Sequence, residues 1–259
     1  MILLDPIIWR PNRYIFTFSE NVHIAYYGFF YTLSFLLSIV LITRQTNDKG
    51  VKKEDLVLLV IVLATGAMVG GRLGYVLFYG SNIYVNEPIE ILKTWKGGIS
   101  SHGSAMGLIL ALFIFKFYIQ KPFLWLLDKA LILALLSGSL IRIGNFFNSE
   151  KIGAKTNSNW GIIFQNNHLL TQDPRHPTQL YESLICFLMF LFFWNFYKRL
   201  RKPDGYISSL VLILLFGSRY LVGYFFSDSI TPTEQNLNAF FVFIGCFIYL
   251  TLYKFKRQD

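Results

Sequence analysis

Apolar residues in this chain gather in runs close to 20 residues long, separated by short polar segments. A helix needs roughly 20 apolar residues to cross the ~30 Å hydrocarbon core of a bilayer. The runs predict seven helices, at about 22–42, 56–79, 103–119, 124–147, 178–198, 206–226 and 237–255. The expected fold class is all-α, a polytopic membrane protein with about seven transmembrane helices and one membrane domain over residues 1–259. Residues 1–20 read as an interfacial arm, because Asp5, Pro6, Arg10, Pro11 and Arg13 interrupt the apolar positions there. Met1 to Phe18 lacks the basic start and small-residue cleavage site of a signal peptide. Residues 80–102 and 148–177 read as loops on one side of the membrane.

Composition supports this reading. Of 259 residues, 54% are hydrophobic and 15% charged, which is too apolar for an ordinary soluble domain. The net charge of +9 raises nucleic acid as a partner, but the basic residues sort by loop instead of forming one patch with aromatics, so none is expected. The segments after helices 1, 3, 5 and 7 hold fourteen of the 24 Lys and Arg, among them Lys49, Lys52, Lys53, Lys129, Arg201, Lys202 and Arg257. The opposite side holds seven, namely Arg10, Arg13, Lys93, Lys96, Lys151, Lys155 and Arg175. Basic residues favour the cytoplasmic side, so the amino terminus is expected outside and the carboxyl terminus in the cytoplasm. The two cysteines, Cys186 and Cys246, fall within predicted spans and suggest neither a disulfide framework nor a metal site.

Three arginines remain inside the helices: Arg72, Arg142 and Arg219. Each costs roughly 2.5–3.5 kcal/mol at mid-bilayer on insertion scales, so an intramembrane arginine marks a function by default. At 1.5 Å per residue all three start in the outer half. Snorkelling to headgroups or pairing with carboxylates would account for one of them. The nearby acids, Glu150 and Glu182, are too few for three guanidiniums, which points to an anionic ligand. A phospholipid phosphate suits the guanidinium fork.

The surrounding motifs are polar or glycine-rich. Gly66-Ala-Met-Val-Gly70-Gly71-Arg72-Leu-Gly74-Tyr75 carries two small-xxx-small spacings that favour close helix packing. Trp95-Lys96-Gly97-Gly98-Ile99-Ser100-Ser101-His102-Gly103 forms the entrance to helix 3, and His102 is either a carbonyl-bonded histidine or a base. Helix 4 closes with Arg142-Ile-Gly-Asn145-Phe-Phe-Asn148-Ser149-Glu150-Lys-Ile-Gly153, where Arg142, Asn145 and Ser149 are spaced to share one helical face. Ahead of helix 5 stands Arg175-His176-Pro177-Thr-Gln-Leu-Tyr181-Glu182. Pro177 suits the first helical position and Glu182 the positive end of the helix, while Arg175 and His176 read as interfacial anchors.

In order and spacing these motifs, from Tyr27-Gly28 through Gly217-Ser-Arg219, resemble the prolipoprotein diacylglyceryl transferase family. The resemblance implies a seven-helix enzyme of the bacterial inner membrane that works in lipoprotein biosynthesis. It would move the diacylglyceryl group of phosphatidylglycerol to the lipobox cysteine of a preprolipoprotein and release glycerol phosphate. No metal or soluble cofactor is implied. By position, Arg142 and Arg219 would hold the phosphate and His102 would activate the thiol. Tyr27, Arg72, Asn145, Asn148, Glu150, Gly153, Tyr181 and Glu182 would shape the substrate site. The chain departs from the family pattern at Gly223, where an acidic residue is usual, and in its last helix. A paralogue with another acceptor, or an anion transporter using the same arginines, are the alternatives. No internal repeat supports the transporter.

Overall fold

A computed structural model describes residues 6–12, 14–19, 22–45, 50–79, 84, 86–93, 98–166, 172–200, 203–228 and 232–256. Within them lie seven α-helices: α1 (Tyr26–Ile42), α2 (Lys53–Tyr79), α3 (Ser101–Ile119), α4 (Phe123–Phe147), α5 (Thr178–Leu200), α6 (Tyr206–Phe226) and α7 (Pro232–Lys256). Five of them are long and apolar enough to cross a membrane, and α1 and α3 are shorter apolar helices. Large side chains such as Leu77, Phe117 and Phe243 remain exposed along them, as expected of surfaces facing lipid. The protein is a multi-pass, all-α membrane protein.

Hydrophobic run length located the helices within a few residues, but it overlooked short strands. The first helix begins at Tyr26 and not Val22, because Val22–Ala25 (β3) pairs antiparallel with Tyr14–Ser19 (β2). The aromatic and β-branched Tyr14-Ile-Phe-Thr-Phe sequence suits a pleated ribbon. The predicted arm also contains Ile7–Trp9 (β1), which pairs in parallel with Ile162–Phe164 (β4), 155 positions away in register. Trp95, Lys96 and Gly97 and the side chains of Ser101 and His102 lie outside the described residues. So do Asp5, Arg13, Lys49, Arg201, Lys202 and Arg257.

The chain divides into two compact units, one of residues 37–127 and one of residues 1–36 with 128–259. In the first, α2 and α3 pack through glycines. A Cβ added to Gly70 would lie 2.5 Å from the Gly103 carbonyl oxygen and 2.7 Å from the Gly107 Cα, and one added to Gly74 would lie 2.7 Å from the Gly103 Cα. The backbones therefore touch where the small-xxx-small spacing predicted close approach. Arg72 is buried beside this seam. Its Nε donates to the Ile91 carbonyl at 2.8 Å, Nη2 to Glu90 at 2.6 Å, and Nη1 to Gly98 at 3.2 Å. The guanidinium thus ties a short 3-10 helix, Pro88–Leu92, and the approach to α3 onto α2.

In the second unit a buried carboxylate organises one end of the bundle. Asp128 of α4 accepts from the backbone N–H of Gly205 at 2.8 Å and of Ser208 at 2.7 Å, and from the Ser208 hydroxyl. Gly205, the N-cap of α6, supplies no capping side chain of its own. Asp128 therefore caps α6 from another helix, satisfying N–H groups that have no intrahelical partner. Lys129 lies within α4 rather than in a loop, buried with its ammonium 4.8 Å from the Tyr197 ring centre. Hydropathy passed over this Asp–Lys pair because two charges barely lower the mean of a 25-residue helix.

Candidate functional site

The C-terminal end of α4 is built as a Schellman motif. The Glu150 N–H bonds the Asn145 carbonyl at 2.9 Å and the Ser149 N–H bonds that of Phe146 at 3.1 Å. Ser149 takes the left-handed conformation this closure requires, with φ of 53°. The helix therefore ends at Phe147, and Ser149 does not share a helical face with Arg142 and Asn145. The turn instead folds Glu150 back onto the helix. Its carboxylate accepts from Asn145 Nδ2 and Asn148 Nδ2, both at 3.3 Å.

One turn inward, three helices bring their charges together. Arg142 of α4 places Nη2 2.6 Å from Glu182 Oε2 of α5, and Arg219 of α6 places Nε 3.7 Å from the same oxygen. The Arg142 and Glu182 side chains are 15% and 14% exposed, whereas Arg219 is 41% exposed. The Arg142 Nη1 donates to Asn145 Oδ1 at 3.4 Å, so guanidinium, amide and Glu150 carboxylate form one chain. Tyr27 of α1 is within electrostatic reach of Glu150 and Arg142. It also lies against Gly144, where a Cβ would sit 3.3 Å from the Tyr27 Cα.

Other bonds set the register of α5 against α4. Ser183 Oγ donates to the Ser139 carbonyl at 3.0 Å, Gln179 Nε2 to the Glu150 carbonyl at 2.6 Å, and Thr178 Oγ1 to the Lys151 carbonyl at 2.9 Å. Small or polar residues at the same level, Gly138 opposite Cys186 and Ser139 opposite Ser183, let the helices approach.

The loop after α4 is held from behind. The Gly153 N–H bonds the His176 carbonyl at 3.0 Å and the Ala154 N–H bonds that of Phe226 at 2.8 Å. A Cβ on Gly153 would lie 2.6 Å from both of those carbonyl oxygens, so only glycine fits. Arg175 is buried here and not an interfacial anchor. Its Nη1 donates to the Gly153 carbonyl at 3.0 Å and meets Asp228 at 3.3 Å. Asp228 follows α6 directly, so this acid joins the two loops that flank the arginines. The Tyr181 hydroxyl accepts from Trp160 Nε1 and lies 3.1 Å from His176 Nδ1.

The sequence-predicted residues Arg142, Asn145, Asn148, Glu150, Glu182 and Arg219 thus form one polar cluster, with Gly153 and Tyr181 in its supporting wall. Arg72 and His102 belong to the other unit, where His102 lies in the first turn of α3. Sequence reasoning missed Gln179, Asp228 and Asp128. An acidic residue within an apolar run was the one sequence signal for Asp128, and Asp228 lies in a short segment that no motif marks.

Two guanidiniums on different helices that approach the same carboxylate oxygen present clustered N–H donors of the kind that suit phosphate oxygens. Comparison with known proteins identifies the family. The family described as Prolipoprotein diacylglyceryl transferase matches residues 13–252. A relative from Tolumonas auensis named phosphatidylglycerol–prolipoprotein diacylglyceryl transferase is 37% identical over 218 residues, covering 83% of each chain. Proteins of the same name from Chloroherpeton thalassium and Chlamydia muridarum are 35% and 34% identical, covering 85% and 92% of this chain and 81% and 94% of their own. The match over residues 13–252 and these relatives show that this chain belongs to the prolipoprotein diacylglyceryl transferase family.

Proposed function

We propose that this enzyme transfers the diacylglyceryl group of phosphatidylglycerol to the lipobox cysteine thiol of a preprolipoprotein, at the outer side of a bacterial inner membrane. The observation that carries this reading is the convergence of Arg142 and Arg219 on one carboxylate, in helices long and apolar enough to cross a membrane.

In the reaction the cysteine sulfur attacks the glyceryl carbon that bears the phosphate. A carbon–sulfur bond forms as the carbon–oxygen bond breaks, and the electron pair leaves on the phosphate oxygen of glycerol phosphate. The thiol proton passes to a base, since a thiolate is the nucleophile, and His102 is the residue that the family resemblance implies for that role. Arg142 and Arg219 stabilise the second negative charge as it develops on the leaving phosphate. Asn145, Asn148 and Glu150 fix the orientation of Arg142, while Tyr27, Tyr181 and Gly153 define the walls. Arg72 contributes by holding the segment that leads into α3 and His102. The excess of Lys and Arg after helices 1, 3, 5 and 7 supports a cytoplasmic carboxyl terminus and an outward-facing site.

The test is transfer of radiolabelled diacylglyceryl from phosphatidylglycerol to a lipobox peptide by the purified protein. Arg142→Ala should lower the rate at least about a hundredfold, as expected for loss of a charge-stabilising donor. Inability of the folded wild-type protein to transfer label, or to rescue a strain depleted of its own transferase, would overturn the proposal.

A further inference from the structure

We infer that Glu182 sets the charge selectivity of the anion site, weakening its hold on the phosphomonoester product relative to the phosphodiester substrate so that product leaves. The inference rests on the transferase reading. Substrate and product present the same phosphate to the same arginines but differ in charge. The diester of phosphatidylglycerol carries one negative charge, whereas a phosphomonoester carries about 1.5 to 2 near neutral pH. Two arginines without a counter-charge would favour the product and retain it.

Glu182 is placed to oppose that preference. Its Oε2 lies 2.6 Å from Arg142 and 3.7 Å from Arg219, so any phosphate oxygen that meets both guanidiniums comes close to this carboxylate. With its side chain only 14% exposed, the repulsion is weakly screened by solvent. Each anion experiences it in proportion to its own charge, and the product is penalised more. Glu150 adds negative charge but stands further out, joined to Arg142 through Asn145.

The position of α5 does not depend on this carboxylate. Thr178, Gln179 and Ser183 anchor the helix to Lys151, Glu150 and Ser139 by separate bonds. A neutral residue at 182 therefore removes charge while leaving helix register intact.

The experiment measures equilibrium binding of glycerol phosphate and of glycerophosphoglycerol, the deacylated diester headgroup, to the full-length protein in phosphatidylcholine nanodiscs. Glu182→Gln should shift the affinity ratio toward glycerol phosphate by about tenfold, from the Coulomb energy of the extra product charge at several ångströms. Glu182→Asp should keep the wild-type ratio. In steady-state assays Glu182→Gln should also show stronger inhibition by glycerol phosphate relative to the KM for phosphatidylglycerol. An unchanged ratio overturns the inference, whatever the absolute activity. Failure of both Glu182→Gln and Glu182→Ala to insert as folded protein also overturns it, by assigning the carboxylate to structure. Because binding is read without turnover, a protein that discriminates the two anions but transfers nothing would refute the transferase reading alone.

Discussion

His176 sits where the chain turns into α5, with Nδ1 3.1 Å from the Tyr181 hydroxyl and its ring centre 5.0 Å from that of Phe226. Burial pushes this imidazole below its ordinary value of 6.5. The folded protein therefore binds fewer protons here than the unfolded chain does. Its contribution to stability is complete above about pH 6.5 and is lost as pH falls through the lower folded value. Thermal unfolding in detergent should show a melting temperature that declines on the acid side, and His176→Gln should flatten that decline. An acid limb of the same slope in the variant would show that other groups cause it. The neighbouring Arg175 shows how position in a loop misleads. Sequence placed it at the membrane surface, whereas the carbonyl of Gly153 and the carboxylate of Asp228 draw it inside.

Among the helices, α6 illustrates control from another element. Gly205 begins it in the left-handed region, with φ of 91°, and contributes no side-chain cap. Asp128 of α4 supplies two backbone acceptor contacts and a hydroxyl contact in its place. Asp128→Ala would leave these buried donors unpaired and should destabilise the protein by about 2–4 kcal/mol, measured as a lower unfolding midpoint in detergent. Asp128→Asn keeps one acceptor and should cost less. Because α6 carries Arg219, Asp128→Ala should also lower transfer activity with little change at the Arg142–Glu150 chain, which α4 and its closing turn hold together.

For the molecule as a whole, the loop charges predict an orientation that fusion reporters can check. An alkaline phosphatase fused after Lys256 should be inactive, and a fluorescent protein that folds only in the cytoplasm should be bright there. The opposite pattern would place the arginine cluster on the cytoplasmic side and remove exported cysteines as acceptors. Membrane class, seven helices and the ends of α2 to α6 were legible in the chain because lipid demands long apolar runs and penalises charge wherever it is not used. The glycine seam of α2 and α3 was legible for a similar reason, since spacing along a helix determines which residues share a face. Tertiary structure alone decided the remainder. It paired Ile7–Trp9 with Ile162–Phe164 and gave Glu182 to two arginines on different helices. It also made Asp128 the cap of α6 and turned Arg72 toward the carbonyls of Glu90, Ile91 and Gly98. Hydropathy and spacing report what each segment needs from its solvent, but a partner dozens of residues away leaves no periodic trace. The sequence supplied the charged residues, and the packing of α4, α5 and α6 determined which of them meet.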